Sequence, residues 1–215
     1  MSCCSTAAID REFDARIARN DLARYRRRGP DKSTRAMIAL LRAAGLPGAG
    51  SLLDIGGGIG ALHHELLETG LGTAVHVDAA SAYLQAAGEE TDRRGHAGRV
   101  TFKKGDVRAL EADLSQADIV TLDRVVCCDG DPASLLALAA DRAKRMLALS
   151  FPRDTWYVRA MVRGGNWWRS LIGDPFTVYV HAPAALEATL HAHGLRKRSR
   201  ARVWVWVVEV YERAA

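Results

Sequence analysis

A run of glycines and four acidic residues recur along this chain at the intervals a nucleotide-type cleft needs. In Leu52-Leu53-Asp54-Ile55-Gly56-Gly57-Gly58-Ile59-Gly60 an apolar strand runs into glycine at alternate positions, with Gly57 filling one gap and Asp54 placed just before. Glycine in such a turn lets the backbone approach a ligand with no Cβ in the way. A dinucleotide fingerprint would read G-x-G-x-x-G, seating a pyrophosphate at the helix start. Here the spacing is G-x-G-x-G, which argues against a nicotinamide-dependent oxidoreductase. Asp78, followed by Ala79, ends the next apolar run, Val75-His76-Val77-Asp78. A carboxylate there can accept two hydrogen bonds from a ribose diol. Asp106 and Val107 follow a third run, and Asp123 ends a fourth, Ile119-Val120-Thr121-Leu122-Asp123. Any one acid at a strand end could be a helix cap. The glycine run Gly56–Gly60, then Asp78, Asp106 and Asp123, fall in succession at the carboxyl ends of consecutive strands, the edge where open α/β sheets bind ligands.

The elements that must position these residues can be read from periodicity. An amphipathic helix is expected over Ile9–Arg27, with Ile9, Phe13, Ile17 and Leu22 on its apolar side, broken by Gly29-Pro30. A second helix, capped by Ser33 or Thr34, packs Met37, Ile38, Leu40 and Leu41 inward. From Ser51, strands at Ser51–Ile55, Thr73–Val77, Val100–Lys103, Ile119–Leu122 and Met146–Phe151 alternate with helices. These include Gly58–Thr69, Ala80–Arg93, a short turn near Val107–Glu111, and one begun by Asp131-Pro132. Alternation of this kind implies parallel pairing and a doubly wound sheet. An aromatic-rich insertion over Asp154–Val180 follows, then a helix at Pro183–His193. Two last strands, Leu195–Ala201 and Val203–Tyr211, have no helix between them and so must pair antiparallel. The expectation is an α/β, Rossmann-like, mostly parallel seven-stranded sheet with an antiparallel C-terminal hairpin. It would form effectively one domain, with residues 1–50 as a helical lid and 51–215 as the Rossmann-like body.

The glycine motif with Asp54, Asp78, Asp106 and Asp123 resembles the class I S-adenosylmethionine-dependent methyltransferases. Within that superfamily the chain looks similar to small-molecule enzymes, including the magnesium-protoporphyrin O-methyltransferase-like group. The resemblance implies S-adenosyl-L-methionine as cofactor and S-adenosyl-L-homocysteine as product. It implies that Asp54, Gly56, Gly57, Gly58 and Gly60 receive the methionine part and that Asp78 and Ala79 receive the ribose. Asp106 and Val107 would meet the adenine, Asp123 and Arg124 would lie near the transferring methyl, and Tyr25 would belong to a lid that excludes water. The chain departs from enzymes that methylate base amino groups: their N/D-P-P-aromatic motif is replaced by Asp123-Arg124-Val125-Val126.

Methyl transfer from a sulfonium is an in-line displacement, governed largely by orientation and desolvation. The acceptor atom, O, N or S, is left open by the sequence, since a carboxylate or thiolate needs no base and a phenol does. Asp123, His181 and Cys127 are the candidates for chemistry at the methyl. Cys128, Trp156, Tyr157, Trp167 and neighbouring Trp168 are candidates for an acceptor pocket. His63 and His64 read as helix-packing residues unless their helix turns one toward the pocket. Cysteines occur as two adjacent pairs, Cys3-Cys4 and Cys127-Cys128, without the spacing of a structural zinc site, so no metal is expected. Soft thiols could instead direct transfer to a thiol or metalloid acceptor. A third reading is a non-catalytic S-adenosylmethionine-binding module.

Composition bounds the partners. The chain has 215 residues, a 48% hydrophobic share and a net charge of +5. Its basic clusters, Arg11–Arg35 and Arg196–Arg202, read as solvated faces, so nucleic acid is not the expected partner; a small molecule is. No apolar run reaches bilayer length, and Met1–Asp10 lacks the features of a secretory signal, so a cytoplasmic monomer or homodimer is expected.

Overall fold

The computed structural model describes residues 6–46 and 48–214. The elements in chain order are α1 (Thr6–Glu12), α2 (Ala15–Arg28), α3 (Lys32–Ala43), β1 (Ser51–Ile55), α4 (Ala61–Glu68), β2 (Thr73–Asp78), α5 (Ser81–Arg93) and β3 (Val100–Lys104). They continue with β4 (Ala117–Asp123), α6 (Pro132–Arg142), β5 (Ala143–Pro152), α7 (Trp156–Leu171), α8 (Pro183–Ala192), β6 (Leu195–Val203) and β7 (Trp206–Arg213). Seven strands form one sheet in the order β3-β2-β1-β4-β5-β7-β6. All neighbours pair parallel except β7, which runs antiparallel to both β5 and β6. This is the expected sheet, and its strand order reverses between β1 and β4, where a ligand crevice opens.

Period-two alternation places the core on both faces of the sheet. Leu53, Val120, Leu147 and Leu149 point to a layer closed by α6 and α8, with Leu136, Leu186 and Leu190. Their strand neighbours Leu52, Ile119, Met146 and Ala148 point the other way, onto Met37 and Leu41 of α3 and Leu62 and Leu66 of α4. Burying a large aliphatic side chain is worth about 1.5–3 kcal/mol, so these two layers fix the strand ends against each other.

The N-terminal pattern resolves into more pieces than its periodicity suggested. The helix expected over Ile9–Arg27 is broken at Phe13-Asp14, because Asp14 caps α2 by accepting from the backbone N–H of Arg16 and Ile17, both at 2.8 Å. The α3 cap is Asp31, which accepts from Ser33 and Thr34 N–H at 3.1 Å, and not Ser33 or Thr34 themselves. Only α1, α2 and the first turn of α3 reach over the sheet edge; the rest of α3 belongs to the helical layer, packed on β5, β6 and β7.

Candidate active site

A cavity of about 590 Å³ opens at the carboxyl edge of β1, β2 and β4, beneath α1 and α2. Its floor is the loop after β1. Gly56, Gly58 and Gly60 have φ of +64°, +57° and +80°, conformations that a side chain disfavours. A Cβ at Gly56 would drive into the Val125 side chain, whereas one at Gly58 would meet nothing within 4 Å and enter open cavity. Gly57 lines the cavity as well, and Gly60 ends the turn as the residue before α4.

Asp54 is buried behind this loop and accepts from Thr121 Oγ1 at 2.7 Å. Asp78 accepts from the N–H of Gly58 and of Ala80, both at 2.8 Å. Burial pushes its carboxyl up to about 6, against the lowering effect of those two N–H groups. Ala79, Asp106 and Val107 line the same wall; Asp106 accepts from Arg108 N–H at 2.9 Å.

The β4 end carries the strongest backbone constraint. Arg124 has φ +62°, a left-handed conformation that costs a non-glycine residue on the order of 1–3 kcal/mol. Its N–H donates to Ser150 Oγ at 2.8 Å, and its guanidinium sits 2.6 Å from Asp31 Oδ2. Asp123 beside it accepts from Thr34 Oγ1 and Ser150 Oγ, each at 2.5 Å. Burial raises its carboxyl above the usual range, against Arg124 and both hydroxyls. The first turn of α3 and the ends of β4 and β5 are thereby joined at one point in the cavity wall.

Beyond Asp123, Cys127 and Cys128 line the cavity with Sγ atoms 3.8 Å apart. Cys127 Sγ donates to Arg124 O at 3.3 Å. The neighbouring thiol and burial raise Cys128 well above the usual thiol range, so it is held protonated. Above lie Phe13, Ile17 and Tyr25, with Phe176 and Val178 from the segment after α7. The Tyr25 hydroxyl donates to Glu65 Oε1 at 2.9 Å, which leaves the ring as its contribution to the cavity.

Several expectations need correction. Trp156, Tyr157 and Trp167, expected to wall an acceptor pocket, do not line the cavity, nor does Trp168; α7 turns all four outward, 42–81% exposed. His181 also stands outside the cavity lining. Its Nε2 lies 3.0 Å from Val126 O and 2.9 Å from Asp129 O, so that nitrogen carries the proton and clamps the loop after β4. It is a loop fastener, not a poised base. Cys3 and Cys4 fall outside the described residues. Thr34, Asp31 and Ser150 were missed as site residues; the capping pattern D-K-S-T before α3 was the one available signal. His63 and His64 are fully buried in α4, under the loop, beside His76 and His96.

Comparison with known proteins bears on the domain and the fold. Residues 52–148 match the family model described as "Methyltransferase domain". No curated protein sequence matches the chain. Among solved structures, magnesium protoporphyrin IX methyltransferase from Synechocystis PCC 6803, with bound S-adenosylhomocysteine, superposes with a TM-score of 0.71 at 20% identity. That match covers 95% of this chain and 98% of that one. The methyltransferase complexed with the Trm112 activator of Haloferax volcanii gives 0.71 at 15% identity, covering 95% and 96%. The (4+2)-cyclase SpnF gives 0.73 at 12% identity, covering 98% and 97%, so the fold alone does not specify a reaction. Residues 52–148 thus match a methyltransferase domain, and nearly the whole chain shares the fold of these solved methyltransferases.

Proposed function

We propose that the protein binds S-adenosyl-L-methionine in this cavity and transfers its methyl group to a small-molecule acceptor. The observation that carries the reading is convergence: the glycine loop, Asp78, Asp106 and Asp123 come from four strand ends and line one cavity. Its volume lies within the range of small-molecule sites, about 300–1,000 Å³. The open space above Gly58 suits close backbone approach by the methionine part, with Asp54 behind it. In this reading Asp78, with Ala79 beside it, would accept from a ribose diol, and Asp106 with Val107 would meet an adenine edge. Bound there, the cofactor supplies an electrophilic methyl on a sulfonium. The residues around it orient and desolvate: Phe13, Ile17 and Tyr25 exclude water from above, and Thr34 and Ser150 hold Asp123 in one rotamer. Both Asp123 oxygens are already engaged, and His181 is turned to backbone carbonyls. The site therefore favours an acceptor that arrives deprotonated, such as a carboxylate, over one that needs a base.

Calorimetry with S-adenosylmethionine, S-adenosylhomocysteine and NAD tests the donor. Micromolar binding of both sulfur ligands, absent for NAD and lost in Asp78→Ala, is expected; NAD binding alone would overturn the reading. Release of S-adenosylhomocysteine with an acceptor panel then separates an enzyme from a non-catalytic binding module. The Cys127–Cys128 pair on the cavity wall favours one second reading, transfer to a soft metalloid held between the thiols. Arsenite-dependent turnover lost in Cys127→Ser and Cys128→Ser would support it; unchanged turnover would remove it.

A further inference from the structure

Directly under the glycine loop, Asp54 of β1, His63 of α4 and His76 of β2 each offer one ligand atom, all within 4.8 Å of one another. All three residues are at most 1% exposed. His63 Nδ1 lies 3.3 Å from His76 Nδ1 and 3.4 Å from Asp54 Oδ2. Ligands about 2.0–2.1 Å from a tetrahedral ion stand about 3.3–3.4 Å apart, so both separations equal the edge of such a site. A hydrogen bond between the two Nδ1 atoms accounts for the first separation but not for both. His63 Nδ1 carries one hydrogen at most and cannot both donate to Asp54 and accept from His76. Asp54 Oδ2 has no hydrogen-bond partner among the described residues, and a buried carboxylate oxygen without a donor is costly. Gly57 keeps the space clear: a Cβ there would stand 2.6 Å from His76 Nδ1 and 2.8 Å from Asp54 Oδ2.

We propose that Asp54, His63 and His76 form a buried site for a divalent transition-metal ion, zinc by its nitrogen-and-oxygen donor set, which fastens α4 and β2 to β1 beneath the glycine loop. The gap left by Gly57 faces the fourth coordination position, where a water completes the tetrahedron. His64 and His96, with Nδ1 atoms 3.1 Å apart, pack behind the ligands. The ion is structural, and its presence does not depend on which cofactor fills the cavity.

The test is metal analysis of the tag-free protein. About one zinc per chain is expected, with the visible bands of tetrahedral cobalt after exchange. Removal by a chelator should lower Tm by roughly 5–15 °C. His63→Asn and His76→Asn should lose the metal while retaining helical circular dichroism. Should they not fold, Gly57→Ala, which fills the ion's space without requiring a left-handed backbone, serves instead. Substoichiometric metal with a Tm indifferent to zinc and chelator would overturn the proposal, as would undiminished metal in the variants.

A different observation carries a second inference. Val158, Asn166 and Arg169 hold α7 to the body: Val158 is buried, Asn166 donates to Val178 O at 2.8 Å, and Arg169 pairs with Glu12 at 2.6 Å. The opposite face presents Trp156, Tyr157, Met161, Trp167, Trp168 and Leu171 to solvent. Trp204, 81% exposed, stands on the β6–β7 turn, where the N–H of Arg153, just before α7, donates to Val205 O at 2.7 Å. Apolar patches this concentrated mark interaction surfaces. Exposed Arg163 flanks the aromatic face and exposed Arg202 lies on the edge strand β6, while Arg159 pairs with Asp154 and Arg198 with Glu212; the chain carries +5. No helix of the described residues is long and apolar enough to cross a membrane. Tryptophan and tyrosine favour the membrane–water interface, where an apolar face bordered by basic residues meets anionic headgroups.

We infer that the outer face of α7 docks onto an anionic lipid surface. Flotation with vesicles of phosphatidylglycerol and phosphatidylcholine should show binding at least tenfold tighter than with phosphatidylcholine alone, with a blue shift of tryptophan emission. Trp167→Ser with Trp168→Ser should abolish the shift, and Arg163→Glu with Arg202→Glu should weaken binding. Indifference to vesicle charge would overturn the inference. So would a dimer in light scattering whose formation those serine variants prevent, since a second copy would then be the occupant.

Discussion

Adding one methyl group at Gly58 should separate cofactor binding from folding. Gly58→Ala places a side chain at φ +57°, which costs about 1–2 kcal/mol, and the new Cβ meets no protein atom within 4 Å. Gly56→Ala carries a similar strain at φ +64° and also drives the Cβ into Val125, adding about 1–3 kcal/mol of overpacking. For a chain of this size each kcal/mol shifts Tm by about 2–4 °C. Calorimetric scanning should therefore show a drop of roughly 2–8 °C for Gly58→Ala and roughly 4–20 °C for Gly56→Ala. Titration with S-adenosylhomocysteine should rank them the other way. The Gly58→Ala methyl intrudes on the ligand, and about 1–3 kcal/mol of crowding weakens Kd by about 5–150-fold. Gly56→Ala points its methyl away from the ligand and loses less. Gly58→Ala protein that binds S-adenosylhomocysteine like the wild type would refute the placement of the cofactor on this loop.

Other perturbations read different parts of the site. Thr34→Val removes a hydroxyl from the part-buried Asp123 carboxylate and should cost about 1–3 kcal/mol in denaturant titration, with α3 unchanged by circular dichroism. His181→Phe should lower stability while leaving the pH profile of turnover unmoved; a 10²-fold or greater loss of kcat would reinstate it as a base. Glu90, fully buried, is held well below the usual carboxylate range by Arg93, Arg94 and Arg26, against its burial. A depressed carboxyl contributes stability that is present above its unfolded pKa, near 4.5, and is lost as pH falls through the folded value. Glu90→Gln should cost about 1–3 kcal/mol at pH 7, discounted because Arg26 and Arg93 are about half exposed, and its gap to wild type should close as the pH falls below 4.

The sheet was legible because each strand carries its own apolar run and each βα turn its own punctuation. Gly56–Gly60, Asp78, Asp106 and Asp123 sit at strand ends, so a correct strand assignment places them together without any long-range information. Three things were not legible. The break at Phe13-Asp14 is masked because Phe13 and Ile17 keep helical spacing across it. On α7 the apolar face was assumed to point inward, but Val158, Asn166 and Arg169 anchor the other face, and local pattern does not say which side a helix buries. The histidines under the loop are adjacent only in three dimensions: His63 and His76 are thirteen positions apart, and nothing local announces that α4 leans on β2 there.

The helices that roof the cavity are fastened to the body by a ring of polar contacts at their periphery. Asp10 accepts from Ser81 N–H at 2.6 Å, Asp21 from Tyr83 Oη at 2.8 Å, Glu12 pairs with Arg169, and Arg26 with Glu90 at 2.8 Å. α2 also buries Ala18, Leu22 and Tyr25 against Ala86 of α5, but the sheet layers are held by far more aliphatic burial, which charge screening does not weaken. Hydrogen exchange should accordingly resolve two cooperative units in the native protein. The amides of α1 and α2 would exchange by a local opening whose free energy declines as ionic strength rises. The amides of β1, β4 and β5 would exchange only through global unfolding and stay indifferent to salt. Access to the cavity and loss of the fold then become separate events with separate ionic controls.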